Sequence, residues 1–496
     1  MQNRITGARS AGWTTLRAYA WRVFGLSAIV LVPCVWNRHI EAGDLGSHVY
    51  NAWLAQLIER GQAPGLFLQH QLNNILFDVL MLHIANVAGF ALAEKLVVGT
   101  FALIFFWGVF AFITAATGKP PWMLTPCVAM LAYSYVFNMG FMNFYASIGL
   151  GCFGLALVWN RWRPREWLFA ALFALLAYAA HPLGFLWLVA VGTYVNVRHF
   201  LGGRWKAVMP ASAILFCVAL HVGVKQHSGS LQVDWGQIPV YQLTGADQLV
   251  LYGHRYQMLA WFGIAFGVLC VSVEVWSRRK EHGGWSAFAL AFELYLITVL
   301  ATLMLPENLR LSMYAAWIGL LVSRLTVLSA ILGLCVLASL RPAKWHLAGF
   351  GILAVAYFSF LYQDTAVLNR VEKNADGALA GLSYGTRIIP MIYGDPEWRI
   401  EFVGHLADRA CVRRCFVYSN YEPSSRQFRV RVKPDSRIAT DSADDAEDMQ
   451  GGSFEISEHD LPLKQLYQCD ARDWTKLCLR DLADGQNTGD VGRRAP

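Results

Sequence analysis

Between Val23 and Tyr362 the chain returns repeatedly to apolar stretches near the ~17 to 25 residues that cross a bilayer, and after Tyr362 these stretches cease. The pattern reads as a polytopic membrane protein followed by ordinary soluble sequence. Composition agrees: 56% of residues are hydrophobic and 15% charged, against ~25% charged in soluble domains. The first run is not followed by a small-residue cleavage site, since Pro33-Cys34-Val35-Trp36 is bulky, so it reads as a retained anchor. No zinc-ligand spacing, no phosphate-binding glycine loop with its lysine and no internal repeat is present. The net charge of +7 speaks to topology first, and no nucleic-acid partner is expected.

Basic residues mark cytoplasmic loops because translocating them is disfavoured. Arg4, Arg9, Arg17 and Arg22, Lys119, Arg161, Arg163 and Arg165, Arg198, Arg204 and Lys206, Arg278, Arg279 and Lys280, and Arg341 and Lys344 are therefore expected inside. Spans then fall near 23–38, 94–116, 122–137, 143–160, 166–180, 183–198, 206–223, 256–276, 285–305, 324–340 and 345–362, about eleven in all. This layout makes 1–22 a cytoplasmic N-terminus and 23–362 an all-α transmembrane domain. It puts 39–93, 224–255, 306–323 and the tail 363–496 outside. Segment 71–87 carries Asn74, Asp78 and His83, and as a span it would push the basic loop Asn160 to Glu166 outside. It is read as an interfacial helix.

The tail holds two close cysteine pairs, Cys411 and Cys415 in "CVRRC" and Cys469 and Cys478 in "CDARDWTKLC". They suit disulfides in an oxidising compartment, with metal binding as the alternative. Segments 381–394 and 426–434 look like strands and 441–449 like a solvated loop, so a small α+β domain is expected outside the membrane.

The stretch "HIEAGDLGSHVYNAWLAQLIERG", 39–61, opens the first outer loop. From Ser47 to Arg60, apolar residues at Val49, Trp53 and Leu57 predict an amphipathic helix along the membrane surface, with Asp44 at its mouth and His48 a turn on. Asp44 has two readings: a helix N-cap, or a carboxylate that deprotonates an acceptor at the interface. In the second, a phosphate leaving group needs cationic partners, for which Arg310 and Arg324 are candidates; Arg324 is alternatively a helix anchor. His181-Pro182 marks the tip of a hairpin on the Asp44 side, and His181 is either a turn residue or a site residue. "NMGFMNF", 138–144, is a second outer turn, in which Asn138 and Asn143 either hydrogen-bond a sugar or simply make the loop.

The order of features, with "AGDLGSHVYNAWLAQLIERG", "HQLNNILFDVLMLHI", "AEKLVVGTFALIFF" and "AHPLGF", resembles the GT-C class of integral membrane glycosyltransferases over roughly residues 20 to 340. That class includes protein O-mannosyltransferases, aminoarabinose transferases and oligosaccharyltransferase catalytic subunits. The resemblance implies a multi-pass enzyme of a bacterial inner membrane, with its C-terminal domain outside. It would transfer a sugar from a polyprenyl-phosphate donor to an outer acceptor, with Asp44 as the acidic catalytic residue. His48 would support Asp44, and Arg310, Arg324, His181, Asn143 and His70 would bind substrate. The paired acidic signature of the class is reduced to one Asp preceded by Gly43, with Glu41 nearby, and no DxD motif appears at 138–144. A divalent metal stays open as a cofactor: Asp44, His48, His70 and Asp78 would supply ligands if the loop folds back. The alternatives are a transporter or lipid flippase, and a GT-C scaffold without activity.

Overall fold

The computed structural model describes residues 19–159, 163–226, 231–236, 240–279, 286–400, 403–470 and 472–489. Arg4, Arg9, Arg17, Arg161 and Lys280, used above to orient the chain, lie outside them. The helices in chain order are α1 (Tyr19–Cys34), α2 (Leu45–Glu59), α3 (Leu76–Ala88), α4 (Phe90–Thr117), α5 (Thr125–Ala132), α6 (Tyr135–Asn138) and α7 (Met142–Val158). They continue with α8 (Pro164–Ala180), α9 (Pro182–Phe200), α10 (Arg204–Gln226), α11 (Val240–Leu243), α12 (His254–Arg278), α13 (Ser286–Leu303), α14 (Leu321–Ser339) and α15 (Lys344–Leu379). The tail adds α16 (Leu406–Cys411), α17 (Glu422–Ser425) and α18 (Ala443–Gly451).

Among the described residues, α4, α10, α12, α14 and α15 are long and apolar enough to cross a membrane, and shorter apolar helices α1, α3, α7 and α13 accompany them. The chain is mostly helical and compatible with a membrane protein, with five such helices where about eleven spans were expected. Two expectations change. The stretch 122–137 is not one span but a 3-10 turn, Trp122–Leu124, then α5 and α6. Ser134 is extended there, and the Asn138 side-chain amide donates to the carbonyls of Tyr133 and Ser134, bracing the break. The helix expected to end at Tyr362 runs on to Leu379: at 36 residues it is ~54 Å long, so it carries the chain from the helical bundle straight into the tail.

The strands are β1 (Leu66–Leu68), β2 (Leu231–Asp234), β3 (Asn308–Leu311), β4 (Thr386–Met391), β5 (Cys415–Val417), β6 (Val430–Val432), β7 (Lys464–Gln468) and β8 (Leu477–Asp481). The tail sheet has the order β5-β4-β7-β8, parallel except for β7 with β8; the strand expected within 381–394 is β4, whereas the one expected within 426–434 is β6, which lies outside this sheet. Segment 441–449 is not a loop but begins α18, because the Ser442 hydroxyl caps the helix by accepting the Asp445 N–H and Asp444 and Asp445 fill its first turn.

The tail packs directly on the bundle. β1, from the loop after α2, pairs antiparallel with β6 of the tail. Every residue of α2 from Leu45 to Leu57 is buried, so the expected surface helix is enclosed on both faces. Its apolar stripe remains, with Trp53 stacked on Phe416 at 5.7 Å. Its polar side, which water was expected to cover, meets the tail: the Tyr50 hydroxyl accepts the Val417 N–H at 2.9 Å, and Asn51 Oδ1 accepts from Asn420 Nδ2 at 3.0 Å. Arg409 of α16 is buried between Glu372 of α15 (2.9 Å) and Glu94 of α4 (3.3 Å), and donates to the Ile40 carbonyl.

Candidate functional site

A cavity of about 470 Å³ opens where the tail meets the helix ends. Its wall brings together Asp44 and His48 from the start of α2, Asn143 of α7, His181 of the α8–α9 turn and Arg324 of α14. These are five of the seven residues expected to form the site. Arg310 and His70 do not reach it. Leu309 lines the cavity, and side chains alternate along a strand, so Arg310 faces away, toward Asp444 at 3.9 Å. His70 follows β1, whose pairing with β6 carries it to an exposed edge.

Asp44 occupies the N-cap position of α2 but makes no side-chain cap. Its backbone is fixed instead by the 138–140 turn: the Gly43 N–H donates to the Asn138 carbonyl (2.7 Å) and the Asp44 N–H to that of Met139 (2.9 Å). Gly140 permits this approach, since its φ is +81° and a Cβ there would lie 2.5 Å from the Asp44 nitrogen. The carboxylate is thus held at the cavity wall by its backbone while its oxygens stay clear of the helix.

His48 Nδ1 lies 2.9 Å from Asp78 Oδ1, and Asn143 Nδ2 donates to the other Asp78 oxygen at 3.2 Å. Asn143 Oδ1 accepts the Phe77 N–H at 2.8 Å, so Asn143 ties α7 to α3. Asn138 stays out of the cavity as a brace of the chain break. Burial works against the His48 imidazolium, but Asp78, and then Glu422 and Asp44, outweigh it and raise His48 to about 9. Burial, and then the Arg324 charge, depress His181 to about 3, leaving it neutral. Its Nδ1 accepts the Leu183 N–H at 3.2 Å as the N-cap of α9, which places the ring proton on Nε2. His181 is therefore both a turn residue and a cavity residue.

The Arg324 guanidinium lies over the Phe141 ring at 3.7 Å, and its Nε is buried without a hydrogen-bond partner. It forms no ion pair among the described residues. Asp44 and Glu307 are the acidic charges that act on it without direct pairing, so its donors stay available to an anion arriving in the cavity. Phe141, Phe144, Tyr314, Trp317, Tyr421 and Phe428 add aromatic faces around it.

Tyr421, Gln427 and Phe428 come from the tail, as do three groups just behind the wall. Ser47 donates to Glu422 Oε1 at 2.7 Å, and His405, hydrogen-bonded to Asp408 at 2.9 Å, stands 3.8 Å from Asp44 Oδ1. None of these was singled out from the sequence. The i, i+3 spacing of His405 and Asp408 in "HLAD" is the local signal that would have found the pair. Among the described residues no group of three or more His, Cys, Asp or Glu is placed to hold a metal ion. The meeting of Asp44, His48, His70 and Asp78 left open above is not formed, because His70 lies elsewhere and Asp78 is engaged by His48 and Asn143. Both cysteine pairs of the tail are disulfides, Cys411–Cys415 and Cys469–Cys478.

No protein-family model, curated protein or solved structure matches the chain.

Proposed function

We propose that the chain is a GT-C-like membrane glycosyltransferase that moves a sugar from a polyprenyl-phosphate donor to an acceptor on the outer side of a bacterial inner membrane. The observation that carries this reading is the convergence of Asp44, His181 and Arg324 on one cavity at the tail end of the helices. In this scheme Asp44 takes the proton of the acceptor as the acceptor atom attacks the anomeric carbon. The bond from that carbon to the phosphate oxygen breaks with its electron pair going to the phosphate. Arg324 and the ring N–H of His181 meet the charge on the leaving group. Asp78, through His48 and Asn143, stiffens the wall, and the aromatic rings offer apolar faces to the sugar. Transport has less support: Glu293, an acid inside the expected span 285–305, is already engaged by Arg198 through two bonds of 2.9 Å.

The test is release of sugar from decaprenyl-phosphate mannose and decaprenyl-phosphate arabinose by the purified chain in vesicles. Asp44→Asn is expected to lower turnover by roughly 100-fold or more, and Arg324→Gln to raise the donor KM by about tenfold or more. Equal, nonzero turnover by the native chain and Asp44→Asn would remove Asp44 from the chemistry. No turnover by the native chain on either donor would turn the reading toward a transporter or an inactive scaffold.

A further inference from the structure

The tail contributes more than a cover to the cavity. His405 closes the 3-10 turn Val403–His405 that leads into α16. Its Nδ1 is committed to Asp408 Oδ2 at 2.9 Å, which leaves Nε2 directed to Asp44 Oδ1 at 3.8 Å. The approach is fixed by backbone on both sides. A Cβ on Gly46 would lie 2.4 Å from the His405 carbonyl oxygen, so the first turn of α2 abuts the turn that carries the imidazole. On its other flank Asp44 is bonded to the 138–140 turn of the bundle. The charged and titratable groups facing His405 are Asp408 on its own helix, Asp44 at the mouth of α2, and Glu422 and Tyr421 of the next tail segment, the Tyr421 ring at 5.4 Å.

We propose that His405 is a positioning residue for Asp44: a tail-borne imidazole, oriented by Asp408, that holds the Asp44 carboxylate toward the cavity, so that bundle and tail each supply half of the site. The proposal rests on the reading of Asp44 as the functional carboxylate. It resembles the arrangement in which a buried acid fixes the tautomer and direction of a histidine that acts on a third group. Burial opposes the His405 charge, but the hydrogen bond and charge of Asp408, with Asp44 and Glu422, raise it to about 9, so it is charged at neutral pH.

The experiment uses the full chain in vesicles and compares native, His405→Gln, Asp408→Asn, Asp44→Asn and His405→Gln/Asp44→Asn. Melting temperatures at neutral pH test the contact without activity. The two single changes at His405 and Asp44 are expected to be non-additive, and strict additivity would overturn the proposal. Sugar release from the two decaprenyl-phosphate donors tests the role. His405→Gln should lower kcat by roughly tenfold or more with little change in donor KM, and Asp408→Asn, which keeps the histidine, should move the alkaline limb of the rate to lower pH. A native pH profile and kcat in both variants would overturn the proposal. Non-additive melting together with full activity of Asp44→Asn would instead overturn the reading of Asp44 while upholding the contact.

Discussion

His48 Nδ1 and Asp78 Oδ1, 2.9 Å apart, join the two short helices that precede the first long one. His48 is raised from its ordinary 6.5 to about 9, so the pair contributes stability that is complete below 6.5 and lost as pH rises through 9, by up to about 3 kcal/mol. Glu422, pushed from 4.5 up to about 7 mainly by burial, has the same sign at lower pH: its contribution is complete below 4.5 and lost as pH rises through 7. The native chain should therefore melt at progressively lower temperature as the pH is raised across this window. In Asp78→Asn the alkaline part of that decline should flatten. A pH-independent melting temperature in the native chain would refute the assignment.

Gly140 sets where Asp44 stands. Alanine there would face both the positive φ and a contact of 2.5 Å with the Asp44 nitrogen. Gly140→Ala should cost about 1 to 3 kcal/mol of stability. Turnover should fall further than stability does, because a shift of ~1 Å at a reacting group is worth roughly 100-fold. Rates and melting curves measured on one preparation separate the two effects, and undiminished turnover would show that the turn does not position the carboxylate.

Arg409 is the cation among Glu94, Glu372 and nearby Glu41, all buried. Removing one partner of a buried charge network is far worse than replacing the network. Arg409→Met should cost about 3 to 5 kcal/mol and expose the tail to protease, and adding Glu372→Gln should recover a portion. Limited proteolysis in detergent reads this, and a stable, protease-resistant single variant would contradict it.

The Cys411–Cys415 disulfide closes the end of α16, the helix that carries Asp408 and Arg409. Cys411→Ser/Cys415→Ser is expected to lose about 2 kcal/mol, as for a short closed loop. Donor turnover should drop along with stability, since His405 sits on the same turn-helix unit. Unchanged melting with turnover intact would separate the disulfide from the site.

Residues with a local signature were the legible ones. Long apolar runs gave most helix positions, His181-Pro182 the hairpin tip, and paired cysteines the disulfides. Basic residues, assigned to a common side, bring Lys119 beside the Leu340 carbonyl and Arg341 beside Glu274, at 3.9 Å. Asp44, His48, Asn143, His181 and Arg324 were placed near one another by counting helices, and they do meet. Arg310 lies apart from them because side chains alternate along β3, which an unassigned loop does not reveal. The enclosure of α2 was missed because its polar face is complementary to Asn420 and Val417, far along the chain. His405 and Glu422 were missed for the same reason: nothing in a helical turn of the tail announces which side chains of the first loop it will touch.

The pairing of Leu66–Leu68 with Val430–Val432 has a consequence for the order of events during synthesis. The first strand is made early and finds its partner only after every long helix has been laid down, as does Ser47, whose acceptor Glu422 is 375 positions away. Until then its edge stays open and the cavity lacks a wall. A chain interrupted before the tail would keep the bundle side of the cavity, with Asn143, His181 and Arg324 beside Asp44, but would lack Tyr421, Gln427 and Phe428, so the enclosure forms only once the tail has been made.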